Sequence, residues 1–225
     1  MKKTKKKKGG CMTVSVLMLL ISALCVTLLL KFGGGGKAEY LTPSDWRLTL
    51  VNGDNPVPDD WKQELAELDD GVRVDSRIYP ILQEMFGDME KEGIYAVAGE
   101  GYRTSEEQRQ MMEDKIAAYV NEGCSEKRAK RLASKEVAQV GRSEHQLGLA
   151  VDINGDKLHS SNDEVYSWLA ENAYKYGFIL RYPEGKSDIT GIEYEPWHYR
   201  YVGKEAATEI FSRSICLEEY LTQNY

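Results

Sequence analysis

The chain has 225 residues and a net charge of −7; six lysines within Met1–Lys8 leave −13 on the remainder. That length allows one well-buried domain with appendages. A body this acidic is a poor match for nucleic acid or other anionic polymers, so no nucleic-acid partner is expected.

Residues 1–8 read as a basic cytoplasmic tail. Cys11–Leu30 holds 20 residues without a charge, long enough to cross a bilayer, and the anchor is placed at residues 9–32. Lysines before it and a long polar chain after it put the N-terminus in the cytoplasm and the rest outside the cell membrane. The apolar run continues through Leu28, Leu29 and Leu30 instead of ending at small residues, which favours an uncleaved anchor over a signal peptide. Cys25 follows Leu24, which argues against lipoprotein cleavage. Residues 33–44 open with four glycines and form a flexible tether, followed by a domain over residues 45–225.

Within that domain, "TPSDW" and "NGDNPVPDDW" are turn-rich. Helical spacing of Ile78, Ile81, Leu82, Met85 and Met89 predicts a helix over Ser76–Glu92. Ile94–Gly99 reads as a buried strand. Ser105 as N-cap, with Gln108 three residues on, predicts a helix over Ser105–Val120. Ser125–Val140 is a charge-rich helix. Leu149, Val151 and Ile153 share one face of a strand, and Ala150 and Asp152 the other. Asn162 caps a helix from Asp163 to Tyr176, stopped by Gly177. "FILRY" is a strand, "PEGKSDITGI" a loop, "YEPWHYRYV" one strand or two short ones, and Lys204–Leu221 a last helix. Helices and strands mix without βαβ alternation, so the fold class is α+β: a small antiparallel sheet flanked by helices. Cys124 and Cys216 either pair or stay free.

The chemistry concentrates in two stretches. "SEHQLGLAVDI" carries His145 and Asp152, and Gly148 permits a bend that swings the histidine back toward the carboxylate. "EPWHYRYVG" carries Glu195 and His198. Two imidazoles and one carboxylate suit one zinc ion with an open fourth position. Glu195 is the candidate general base. Pro196 disfavours a helical Glu195, so this is not the HExxH arrangement, and Glu195 and His198 share a face only if the backbone bends. Each residue also has a plainer reading: a hydrogen-bonded structural histidine, a strand-edge charge at Glu195, core aromatics at Trp197 and Tyr199. His159, in "KLHSSND", reads as an exposed loop residue and is the obvious substitute ligand. Arg103 sits between strand and helix, placed either to hold a substrate carboxylate or carbonyl or to make a surface ion pair.

The segments "LVNGDNPVP", "GYRTSEEQ", "SEHQLGLAVDI" and "YGFILRYPEGKSDITGIEYEPWHYRYVG" resemble VanY-type D-alanyl-D-alanine carboxypeptidases. These belong to the zinc metallopeptidase group that includes lysostaphin-like enzymes and the Sonic hedgehog domain. The resemblance covers roughly Leu50 to Gly203, and SxHxxGxAxD with EPWHxR is a specific combination. It implies that His145, Asp152 and His198 bind Zn²⁺ and that Glu195 is the general base. It further implies that Arg103 stabilises the scissile carbonyl oxygen or holds the peptide, and that Gln108 and Ser143 line the terminal-residue pocket. The implied function is removal of the C-terminal D-alanine from peptidoglycan stem peptides or lipid-linked precursors, with loss of the target of vancomycin-type antibiotics. The rivals are an L,D-carboxypeptidase acting on tetrapeptide stems and a catalytically silent wall-binding or sensor domain. The absence of SxxK and KTG after the apolar segment disfavours a serine penicillin-binding enzyme.

Overall fold

The computed structural model describes residues 45–224. The basic tail, the apolar segment at 9–32 and the tether at 33–44 lie outside the described residues. Among those described, no helix is long and apolar enough to cross a membrane.

The elements run β1 (Leu65–Glu67), β2 (Arg73–Asp75), α1 (Tyr79–Lys91), β3 (Ala96–Glu100), α2 (Ser105–Asn121), α3 (Glu126–Ala133), β4 (Ala150–Gly155), α4 (Asn162–Asn172), β5 (Phe178–Leu180), α5 (Ser187–Thr190), β6 (His198–Tyr201), α6 (Lys204–Arg213) and α7 (Leu217–Asn224). β1 and β2 form an antiparallel pair, and the remaining strands form a four-stranded sheet in the order β3-β4-β6-β5. Every pairing in that sheet is antiparallel, as the α+β reading expects.

Side-chain alternation splits this sheet into two faces. Val151 pairs with Tyr199, which pairs with Leu180, and Ile153 pairs with Ala98; this face is apolar. α1 and α4 cover it with fully or nearly fully buried Leu82, Met85, Met89, Val165 and Leu169, each side chain contributing roughly 1.5–3 kcal/mol. The opposite face carries Ala150 paired with Arg200 and Asp152 paired with His198. The polar alternate positions therefore face away from the main core and toward the chain between α3 and β4.

Element boundaries differ from the expectations where tertiary bonds capture the backbone. α1 starts at Tyr79 because the Ser76 N–H donates to Glu64 O and the Arg77 N–H to Asp75 Oδ1; Pro80 then suits the first turn. α2 is capped by Thr104 rather than Ser105, with Glu107 completing the capping box, which frees Gln108 for another role. α3 ends at Ala133, seven residues early, because the carbonyls of Lys135 and Ala138 accept from Glu193 N–H and Gln108 Nε2. α4 is capped by Ser161 with Glu164, while Asn162 Oδ1 accepts from Gly155 N–H. The last helix is two, α6 and α7, broken at Ser214 with φ of 51°. The break turns Leu217 and Glu218 inward, where both are buried. Cys124 and Cys216 are free thiols.

Candidate metal centre and peptide cleft

Three backbone devices bring the trio and Glu195 together. His145 lies on a single 3-10 turn, Glu144–Leu147, ended by Gly148 at φ of 74°. That left-handed conformation suits glycine, and a Cβ here would sit 3.1 Å from the Asp75 nitrogen. The chain therefore bends before β4, as the sequence predicts, and His145 faces Asp152. His198 opens β6 directly opposite Asp152 in the ladder. The His198 N–H donates to the Glu195 carbonyl at 3.2 Å, a turn with Pro196 at its second position. That turn puts Glu195 and His198 on the same side, which an extended segment would not.

His145 Nε2 lies 3.4 Å and His198 Nδ1 3.3 Å from Asp152 Oδ1. One ligand atom from each of the three residues falls within 4.8 Å of the other two, and the imidazoles meet edge to face. Asp152 Oδ1 is buried with no hydrogen-bond partner, although a buried carboxylate oxygen ordinarily has one. His145 Nδ1 is bonded to the Gly101 carbonyl at 2.7 Å; the ring therefore carries its proton there and turns the Nε2 lone pair inward. Gly101 fits against β2 because it has no side chain: a Cβ would fall 2.3 Å from the Arg73 carbonyl oxygen. Two nitrogen donors, one carboxylate and an orphaned oxygen between them fit Zn²⁺. His159 is excluded from the set: it is exposed and bonded to Asp156.

In the metal-free site the imidazoles carry the positive charge that balances the buried carboxylates. Burial pushes the Asp152 carboxyl up, but the two imidazoles outweigh it and hold the group well below the usual carboxylate range. Burial works against His198 protonation, yet Asp152 and Glu144 lift it to about 9. Glu195 places Oε2 3.5 Å from His198 Nδ1. Burial pushes Glu195 up to about 7, against the downward pull of His198, which places it where a proton can be both taken and returned near neutral pH.

These groups floor a cleft of about 950 Å³ lined also by Arg103, Ser143, Tyr182 and Trp197. Arg103 is buried, not a surface ion pair. Its Nε and Nη2 contact Glu100 at 2.7 and 2.5 Å, and Nη1 donates to Gln108 Oε1 at 2.6 Å. With five N–H donors, the guanidinium keeps two beyond these contacts. Ser143 is buried at the cleft wall. Gln108 is fully buried and holds Arg103 on one side and the Ala138 carbonyl on the other, so it orients the arginine rather than lining the cleft.

Sequence reading missed Glu100, which anchors Arg103, and the acid Glu144. It also missed Arg181, Arg200 and Glu218, which are buried around Glu144. Glu100 and Arg181, at the ends of apolar strands, were the two with a local signal.

Residues 71–204 match the family model of VanY, D-alanyl-D-alanine carboxypeptidase. The chain belongs to the VanY family. It is 52% identical over 177 residues to a D-alanyl-D-alanine carboxypeptidase of Enterococcus faecalis (strain ATCC 700802 / V583), covering 79% of this chain and 66% of that protein. It spans 46–63% of the length of three further curated relatives. Among solved structures, VanYB in complex with D-alanine-D-alanine superposes with a TM-score of 0.79 at 51% identity, covering 80% of this chain and all of that one. A mutant of the vancomycin resistance D,D-pentapeptidase VanY from a VanB-type cassette, in complex with Zn(II), superposes with a TM-score of 0.77 at 52% identity. It covers 79% of this chain and 99% of that one. The relative's structure holds Zn(II), and His145, Asp152 and His198 form a candidate site for such an ion here.

Proposed function

We propose that this protein is a zinc D,D-carboxypeptidase that removes the C-terminal D-alanine from peptidoglycan stem peptides or their lipid-linked precursors. The observation that carries the reading is the convergence of Glu195 and Arg103 on a cleft floored by the His145–Asp152–His198 trio. A wall-binding or sensor module has no need of a buried base beside a metal site. Likeness to a structure holding D-alanine-D-alanine supports the substrate class.

Zinc held by the trio supplies Lewis acidity at the scissile carbonyl. Glu195 Oε2 takes the proton of the attacking water and returns it to the leaving amine nitrogen. Arg103, held from behind by Glu100 and Gln108, turns its remaining N–H groups to the terminal carboxylate or the carbonyl oxygen. Ser143 packs the same wall. Because Arg103 is already fixed by its protein partners, little side-chain entropy is lost when the substrate binds.

The apolar segment supports a single-pass anchor with the domain outside the cell, where stem peptides are found. Loss of the terminal D-alanine there would lower the target of vancomycin-type antibiotics and contribute to resistance. The test is hydrolysis of the terminal peptide bond, followed as D-alanine from free pentapeptide and tetrapeptide and as D-alaninamide from the pentapeptide amide, with chelator and with zinc restored. Preference for the pentapeptide acid, abolished by chelator, supports the reading. Higher kcat/KM on tetrapeptide assigns L,D activity, and equal turnover of acid and amide removes the carboxylate anchor.

A further inference from the structure

Behind the metal centre, on the side away from the cleft, lies a buried set of four charged groups. Arg181 Nε and Arg200 Nη1 both donate to Glu144 Oε1, each at 2.8 Å. Arg181 also clamps Glu218 of α7 through Nη1 and Nη2, at 2.9 and 2.6 Å. Arg200 Nη2 donates to the carbonyls of Arg47 and Thr49, and its Nε to that of Tyr201. All four side chains are at most 2% exposed. Two acids and two arginines cancel, so the set carries no net buried charge.

The bonding is lopsided. Both arginines take the same oxygen of Glu144, leaving Oε2 buried and without a hydrogen-bond partner. His198 Nε2 lies 3.9 Å from it, also buried and also without a hydrogen-bond partner. A small ring movement closes that gap. The other ring nitrogen, Nδ1, is the one that faces Asp152.

We propose that Glu144 is a positioning residue for the metal centre: its Oε2 accepts the Nε2–H of His198 and holds that imidazole in the tautomer that offers Nδ1 to zinc. The inference rests on the zinc reading above. The arginines and α7 pin Oε1, so that Oε2 has one direction left to point. Metal-ligating histidines commonly need such an outer partner. His145 has the Gly101 carbonyl; Glu144 would serve His198.

Glu144→Gln tests this. Its amide oxygen must face the two arginines, which turns its NH₂ toward His198 Nε2. Donor then meets donor, unless the proton moves to Nδ1 and removes the lone pair zinc needs. Glu218→Gln is the control: it also removes one buried acid from the set, but Arg200 still holds Glu144 and His198 is untouched. The readouts are zinc affinity by chelator competition and the visible spectrum of the cobalt-substituted protein. Glu144→Gln is expected to weaken zinc binding about 10–100-fold and shift the cobalt spectrum, with Glu218→Gln within about threefold of wild type. Wild-type affinity in Glu144→Gln, or equal weakening by Glu218→Gln, overturns the proposal. Should Glu144→Gln fail to fold, ¹⁵N NMR of the wild-type zinc protein decides: a protonated Nε2 and metallated Nδ1 on His198 supports the proposal, and the reverse overturns it. A wild-type protein that binds no zinc overturns the parent reading, before any variant is compared.

Discussion

Replacing Glu195 with glutamine separates the base from the metal site. The amide keeps the size and one oxygen but cannot take a proton. Glu195 is not one of the three residues whose donor atoms cluster, so zinc content should stay at one per chain while kcat falls about 10²–10⁴-fold, or about 3–5 kcal/mol in the barrier. Stability should move the other way. Burial raises the carboxyl from 4.5 to about 7, so in the metal-free protein the neutral form is the one the fold prefers. The contribution is fully present below the unfolded value of about 4.5 and is lost as pH rises through about 7. At pH 8 ionised Glu195 thus costs at most about 3 kcal/mol, which the amide does not incur. The gain of the variant over wild type in urea unfolding should therefore be larger at pH 8 than at pH 5. Turnover would be followed as D-alanine release and metal by elemental analysis. Near-normal kcat with zinc retained would show that the proton goes elsewhere, and a variant less stable than wild type at pH 8 would refute the burial argument.

Other outcomes follow from the same geometry. Elemental analysis should show depleted zinc in His145→Ala and His198→Ala, but full occupancy in His159→Ala. Arg103→Lys cannot reproduce the forked contact with Glu100 together with the bond to Gln108, so kcat/KM on the free pentapeptide should fall about 10–100-fold, with less discrimination against the amide. Arg181→Met strands Glu218 in the interior and should cost about 3–5 kcal/mol in equilibrium unfolding, whereas Arg181→Met with Glu218→Leu should cost much less; additive losses would refute the coupling. Gly148→Ala forces a side chain into the left-handed region, about 1–2 kcal/mol, against the Asp75 backbone, and should lower the unfolding midpoint and zinc content together. Mass spectrometry of membrane-extracted protein should find the basic N-terminus intact; a chain starting near Gly33 would show a removed signal.

Residue types and local spacing were enough to nominate the trio and the base. His145, Asp152 and His198 offered the right donors near apolar strands, with His159 as the substitute, Gly148 marked the bend between two of them, and period-two alternation separated Asp152 from the core face. These are properties of adjacent residues. The α+β class, the apolar stripe of α1 and the exposed loop position of His159 were legible for the same reason. The tertiary structure decided what depends on groups far apart in sequence. The antiparallel register of β4 and β6 sets Asp152 opposite His198. The proline turn brings Glu195 round to His198, a geometry the sequence left open. Arg103 became a buried, pre-oriented cleft residue because Glu100 and Gln108 grip it. The helix α3 stopped short, and the last helix broke, because long-range hydrogen bonds and burial of Glu218 outweighed helix continuation. Glu144 could not be recognised locally: an acid beside a histidine is ordinarily solvated, and only the arrival of Arg181, Arg200 and α7 around it makes burial of its charge tolerable.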